Sequence, residues 1–340
     1  MKLTWERGSF RIVFNEETGK GDMVKLLGEG DFRYQVVEDW PKLPLGFVLG
    51  DVAGAVLDSR QRLFCYTRGP NPVVVLSREG KLLDSWGHGV FGGTHGIGIG
   101  IDDTIFCTDV RNHVIHQFTP EGELIRTLGS PAGRFSGLPF NKPSHLAVSP
   151  TSGDVFVTDG YGNSRVHRFS PEGEFIESWG SVGTGVGEFV IPHNIVIDKD
   201  DFLYIADREN HRIQIFDAKG KHQATWPGVW RAAGLALGSD GTVYVAEMPP
   251  PVYILDAPGL GHAVSVFTKN GRLVARLGEE TIGENAGEFS APHGIAVDAD
   301  GSLYVCEMPN FNMGSVWIEE ANRLHKEGST IRTIVKLIRI

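Results

Sequence analysis

One pattern recurs six times along the chain, and it restricts the fold more than any other feature. Each copy runs through a glycine-centred step, an apolar strand, an acidic turn, a second apolar strand, then an acidic residue or two and a third strand. The clearest copies span residues 94–129, 142–180 and 191–226, and weaker ones start near Asp51, Arg231 and Ala291. Within a copy the strands alternate or run apolar, with Gly, Asp, Asn or Pro between them, which is the punctuation of antiparallel hairpins. The string PEGE at 120–123, and again at 171–174, marks the turn before an outermost strand. Short strands in repeats of ~40–60 residues, with no helical period, read as propeller blades.

Six copies predict an all-β, six-bladed β-propeller over residues 32–340, preceded by an N-terminal extension at 1–31. The segment 32–40, FRYQVVEDW, has no copy of its own. It is expected to be the outer strand of the sixth blade, closing the ring and removing its free edges. The stretch WIEEANRLHKEG at 317–328 reads as a helix-like insert before the last strand, and residues 1–22 as a small extra hairpin.

Composition agrees with a closed, turn-rich fold. The 340 residues include 44 glycines, nearly twice the average usage of ~7 %, and 41 % are hydrophobic. With 42 acidic against 32 basic residues the net charge is −10, which argues against a nucleic-acid partner, since a phosphate backbone needs a positive surface. Cys65, Cys107 and Cys306 are far apart and each sits in an apolar run, so buried thiols are expected rather than a disulfide or metal pair. The N-terminus carries charges where a signal peptide needs apolar residues, and no window is apolar enough to span a membrane. A soluble, cytoplasmic chain without membrane partners is the expectation. Nothing in the sequence fixes its oligomeric state.

Stacking the six copies brings out a slot just before the first strand. It holds, in order, Ala53, His95, Ser144, His193, Ala233 and His293. In a radial fold such slots form a ring around the axis, and alternate blades of six are related by an approximate threefold. Three imidazoles then converge on the axis, leaving open coordination positions, as in catalytic zinc sites. Three imidazoles also suit Cu, Fe, Ni or Co. A single histidine here would be read as a turn residue, but Ala, Ser and Ala in the intervening copies show that the turn does not need one.

Two further slots follow the second strand. The first reads Thr67, Asp109, Asp159, Asp207, Glu247 and Glu307. Acids in five of six copies point to a structural carboxylate that accepts turn amides. The next reads Arg68, Val110, Gly160, Arg208, Met248 and Met308, with Tyr161 following Gly160. Because this slot varies, the fold does not dictate it. Arginines near the channel mouth can grip a carboxylate or stabilise a tyrosinate. Taken singly, solvated salt bridges and a surface aromatic are the plainer readings of these three residues. His145, one place beyond the histidine slot, is the one further candidate ligand.

These residues carry a resemblance. The chain is similar to the NHL-repeat propellers, and more closely to the peptidyl-α-hydroxyglycine α-amidating lyase family, from about Trp40 to Glu307. The sharpest matches are THGIGI around His95, DGYGNSRVHRFS around Tyr161, VIPHNIVI around His193, IADRENHRIQIF around Arg208 and APHGIAVD around His293, with a weaker one in TRG at 67–69. The resemblance implies a zinc-dependent carbon–nitrogen lyase acting on a carbinolamide. His95, His193 and His293 would hold the metal, Tyr161 would act as base, and Arg208 and Arg68 would serve the substrate. Three positions depart from the family. Ala291 replaces a methionine, Gly162 a disulfide cysteine, and Gly294 an aspartate that helps hold a structural calcium. The last argues against that calcium, and the first moves the expected substrate from a peptide to a small molecule. Two other readings of the same residues are a metal-dependent hydrolase or hydratase and a non-catalytic binding scaffold.

Overall fold

The computed structural model describes residues 10–14, 21–131, 140–250, 260–310 and 331–340. Six four-stranded antiparallel blades follow one another around an axis. Blade one runs from Val52–Leu57 to Leu82–Trp86, and blade two from Thr94–Ile99 to Leu124–Gly129. Blade three runs from His145–Val148 to Phe175–Trp179, blade four from Pro192–Ile197 to His222–Pro227, and blade five from Ala232–Leu237 to Leu273–Leu277. The first strand of each blade lies innermost, and each packs against the first strand of the next, including that of blade six against blade one.

Blade six draws on both ends of the chain. Pro292–Val297, Leu303–Glu307 and Ile334–Arg339 form three of its strands. Tyr34–Val37 pairs antiparallel with Ile334–Arg339, in the register Lys336↔Val37 to Arg339↔Tyr34. Gly21–Leu27 and Phe10–Phe14 continue the same sheet outward as a hairpin. The buried Tyr34 hydroxyl donates to that of Tyr244 in blade five at 2.9 Å, and Trp40 Nε1 donates to the Arg78 carbonyl of blade one at 3.2 Å. The segment is thereby tied to both neighbours of blade six. The helix-like stretch at 317–328 lies outside the described residues.

Burial explains the apolar runs. Every second strand, such as Leu63–Thr67 or Leu203–Asp207, is buried along its whole length, while outermost strands such as Phe175–Trp179 are partly exposed. Among the described residues the apolar core divides into six clusters, one in each seam between blades. The three cysteines are free and buried, Cys65 and Cys306 within one seam. Among the described residues no helix is long and apolar enough to cross a membrane.

Candidate metal centre and its surroundings

The slot residues sit where the innermost strands bulge. Pairing with the second strand slips between Thr94 and Ile97, between Pro192 and Asn194, and between Pro292 and Gly294. Blades one and five slip at the same place, around Ala53 and Ala233. A bulge leaves one residue out of the ladder and re-aims its side chain. Here it turns the slot residue toward the axis.

His95, His193 and His293 meet there. All are buried, at 2 %, 1 % and 5 % exposure. Their ring centroids stand 4.8–5.0 Å apart and their planes cross at 74–80°, close to threefold symmetry. One ring nitrogen of each lies within 4.8 Å of the others, the one such group of His, Cys, Asp or Glu among the described residues. His145 is not part of it.

The intervening slots, which look empty of chemistry in the sequence, supply the partners. His95 Nδ1 donates to the Ser144 carbonyl, His193 Nδ1 to Ala233, and His293 Nδ1 to Ala53, each at 2.7 Å. Each imidazole is therefore fixed by the slot of the next blade around the ring. With Nδ1 protonated, every Nε2 presents a lone pair to the axis, and a second-shell carbonyl of this kind orients a metal-binding histidine and raises its basicity. Burial pushes all three imidazoles toward the neutral form, aided by the positive field of Arg208 and, at His95 and His293, of Arg68. His293 falls to about 3. Three neutral, pre-oriented imidazoles are a donor set that fits a first-row divalent ion.

Tyr161 leans over this centre. Its hydroxyl lies 2.8 Å from His95 Nε2 and 2.9 Å from His193 Nε2, bridging the blades on either side of its own. The flanking glycines bring it there by close approach. A Cβ on Gly160 would stand 2.3 Å from the Pro192 carbonyl oxygen, and one on Gly162 2.3 Å from that of Asn141. The cysteine of the resembled family therefore does not fit at 162 without movement. The acidic slot pins this loop, since Asp159 accepts from Asn141 N and from Asn163 Nδ2.

Arg208 approaches from blade four at the start of a short 3₁₀ turn, Arg208–Asn210. Asp207 holds that turn through Val190 N, Asn210 Nδ2 and Arg212 Nε. Arg208 Nη1 lies 3.4 Å from the Tyr161 hydroxyl, and the guanidinium carbon 5.6 Å from the ring centroid. Arg68 enters from blade one, its Nε donating to the Thr94 carbonyl at 3.4 Å, beside His95. Burial lowers its pKa, while Tyr161 and Asp51 raise it. The structure thus brings all six candidate residues to one end of the axis. Sequence reasoning missed the three carbonyl acceptors, and it missed Met248, whose sulfur lies 4.0 Å from Arg208 Nη1. The carbonyls are backbone groups and left no side-chain signal in the sequence.

Gly294, where the resemblance implies an aspartate, is closely packed. A Cβ on Gly294 would stand 2.6 Å from the Cα of Gly54 and 2.8 Å from the Ala53 carbonyl oxygen, so an aspartate has no room there.

Comparison with known proteins agrees with the fold and narrows the kinship. A family model described as a 6-bladed beta-propeller matches residues 140–226. The peptidyl-alpha-hydroxyglycine alpha-amidating lyase 1 of Drosophila melanogaster is 30 % identical, over 90 % of this chain and 62 % of its own length. The peptidylglycine alpha-amidating monooxygenase of Rattus norvegicus is 29 % identical over 81 % of this chain, which spans about a third of that longer protein, 31 %. The NHL repeat-containing protein 3 of Homo sapiens is 28 % identical over 81 % of both chains. The chain is thus a six-bladed propeller that resembles both the NHL repeat-containing proteins and the amidating lyases.

Proposed function

We propose that this propeller is a metal-dependent lyase that splits the N–C bond of a small carbinolamide, an N-acyl α-hydroxyglycine or a close analogue. The observation that carries the reading is the convergence of three carbonyl-locked imidazoles beneath the Tyr161 hydroxyl, with two arginines at the same end of the axis. His95, His193 and His293 would hold the ion, zinc in the first instance. A zinc ion bound there supplies Lewis-acid polarisation of the substrate hydroxyl.

The remaining chemistry falls to the chain's own groups. A substrate hydroxyl directed at the three Nε2 atoms meets the Tyr161 oxygen, held 2.8 and 2.9 Å from two of them. Tyr161, acting as base, takes the hydroxyl proton as the carbonyl forms and the C–N bond breaks. The amide nitrogen leaves with the bonding pair and takes the proton that Tyr161 accepted, so the products are an amide and an aldehyde acid and the base is regenerated. Arg208 puts positive charge beside the oxygen on which the base's negative charge resides. Arg68 is placed to hold the substrate carboxylate with a planar fork.

The test is metal analysis of the purified protein together with a screen of N-acyl α-hydroxyglycines for glyoxylate release. Tyr161→Phe should retain its metal and lose about 10²- to 10⁴-fold in turnover, the usual worth of a general base. Wild-type turnover in that variant rules the mechanism out. Hydrolysis of amides or lactones without glyoxylate release rules out the lyase reaction.

A further inference from the structure

Arg208 uses its two sides differently. Nη1 faces Tyr161 and Met248, while Nε is held on the other side by Glu209 Oε1 at 2.7 Å. Glu209 is gripped in turn by Arg231 from blade five. Arg231 Nη2 lies 3.1 Å from Oε1 and Nε 3.3 Å from Oε2. Arg231 Nη1 donates to the Pro249 carbonyl at 2.9 Å, and the Glu209 amide donates to the Val190 carbonyl at 3.1 Å. Both ends of the arrangement are thus anchored to backbone. Burial would push the Glu209 carboxyl upward, but the two guanidiniums outweigh it and hold its pKa below the ordinary value.

We propose that Glu209 is a positioning residue that sets the Arg208 guanidinium over Tyr161, with Arg231 as the brace on the far side of the carboxylate. This rests on the lyase reading, because it assigns Glu209 a part in that reaction. The physical case is one of orientation. Arginine has many rotamers, and the Tyr161 contact alone, at 3.4 Å, is too long to select one. A charge-assisted bond to Nε does select one, because it fixes the guanidinium plane and therefore the direction of Nη1. Glu209 is itself held by three donors on two blades, so the plane is referred to the seam between blades four and five. A plain surface salt bridge would have no such consequence, since exposed pairs contribute little. Here the Arg208 side chain is only 9 % exposed and Glu209 29 %, so the pair is largely withdrawn from solvent.

The experiment is a double-mutant cycle on the zinc-loaded protein, with N-acetyl-α-hydroxyglycine as probe and glyoxylate as readout. Glu209→Gln should lower kcat about 10- to 100-fold, the scale of a small misplacement in an active site. KM and zinc content should stay near wild type, and Glu209→Asp should recover part of the loss. In an Arg208→Ala background the same Glu209→Gln change should cost less than about twofold, because the group it positions is gone. Equal losses in both backgrounds, or no loss in either, overturn the proposal. A crystal structure of Glu209→Gln gives a readout independent of the reaction. Arg208 should swing away from Tyr161, and an unmoved guanidinium overturns the proposal. If the wild-type protein releases no glyoxylate, the lyase reading fails, and that crystal structure alone decides whether Glu209 positions Arg208.

Discussion

A single methyl group should be poorly tolerated at Gly294, in the seam between blades six and one, and well tolerated at Gly54, whose own Cβ direction faces blade two. Gly294 and Gly54 hold equivalent places, one residue beyond the histidine slot, in blades that touch each other. A Cβ added to Gly294 meets backbone: Gly54 Cα at 2.6 Å and the Ala53 carbonyl oxygen at 2.8 Å. Neither atom can yield without moving an innermost strand. A Cβ added to Gly54 meets the Ile97 side-chain methyl at 3.3 Å, with the next atom at 3.8 Å, and a side chain can give by a few tenths of an ångström.

Overpacking against a fixed neighbour costs about 1–3 kcal/mol. Displacing the Ala53 carbonyl also weakens its bond from His293, worth about 1 kcal/mol. Removing a glycine from the unfolded chain returns about 0.4–1 kcal/mol in either case. Gly294→Ala should therefore lose about 2–3 kcal/mol, and Gly54→Ala should stay within about 1 kcal/mol of wild type. In thermal unfolding of a domain this large this amounts to a Tm lower by roughly 3–4 °C for the first and nearly unchanged for the second. Gly294→Ala should also bind its metal about 10- to 100-fold more weakly, because His293 loses its orienting carbonyl. If the two variants melt within about 1 °C of each other, the close packing at this seam, and the exclusion of a side chain at 294, are refuted.

Three further outcomes follow from the site. His193→Ala should lose metal and activity together, and full metal occupancy in that protein, measured by elemental analysis, would exclude His193 as a ligand. Arg68→Lys should mainly raise KM for a carboxylate substrate, since an ammonium cannot reproduce the planar fork; steady-state kinetics would separate this from a fall in kcat. For the metal-free protein, burial holds His293 near 3 in the folded state, against about 6.5 when unfolded. Its contribution to stability is present above pH ~6.5 and is lost as the pH falls toward 3. Between pH 7 and 5 wild type should lose about 2 kcal/mol more than His293→Asn in urea unfolding, and equal losses would contradict a neutral buried His293.

The repeat made the fold readable because each blade needs the same strands, and five of the six carry an acid in the same slot. Asp109 accepts from the amides of Gly92, Gly93 and Asn112, and Asp207 accepts that of Val190, as the structural reading of that slot requires. The histidines were readable for the opposite reason, since they break the repeat in every second copy. What stayed hidden has no side-chain signature. The carbonyls of Ala53, Ser144 and Ala233 are backbone groups, and nothing in those residue types announces that an imidazole will bind them. The bulge that aims each histidine lies in backbone register. Glu209 was within the motif already singled out, but its meaning depends on Arg231, which arrives from the next blade. His145 shows the converse error. One place from the slot, it appeared able to join the ligands, but the alternation of side chains along the strand sends it elsewhere, and its Nδ1 is buried without a partner.

The locking of each imidazole by the following blade gives the ring a parity. A histidine blade and a carbonyl blade form one unit, and three such units close the circle, the last donating from His293 to Ala53 across the junction of the chain's two ends. Gain or loss of a single blade would set two like slots side by side, either two neighbouring imidazoles at the axis or a slot whose carbonyl receives no imidazole. Only changes by pairs preserve the pattern, and they alter the number of imidazoles at the axis to two or four. For a propeller of this design, blade number and ligand number are therefore one quantity, and drift in one is constrained by the chemistry of the other.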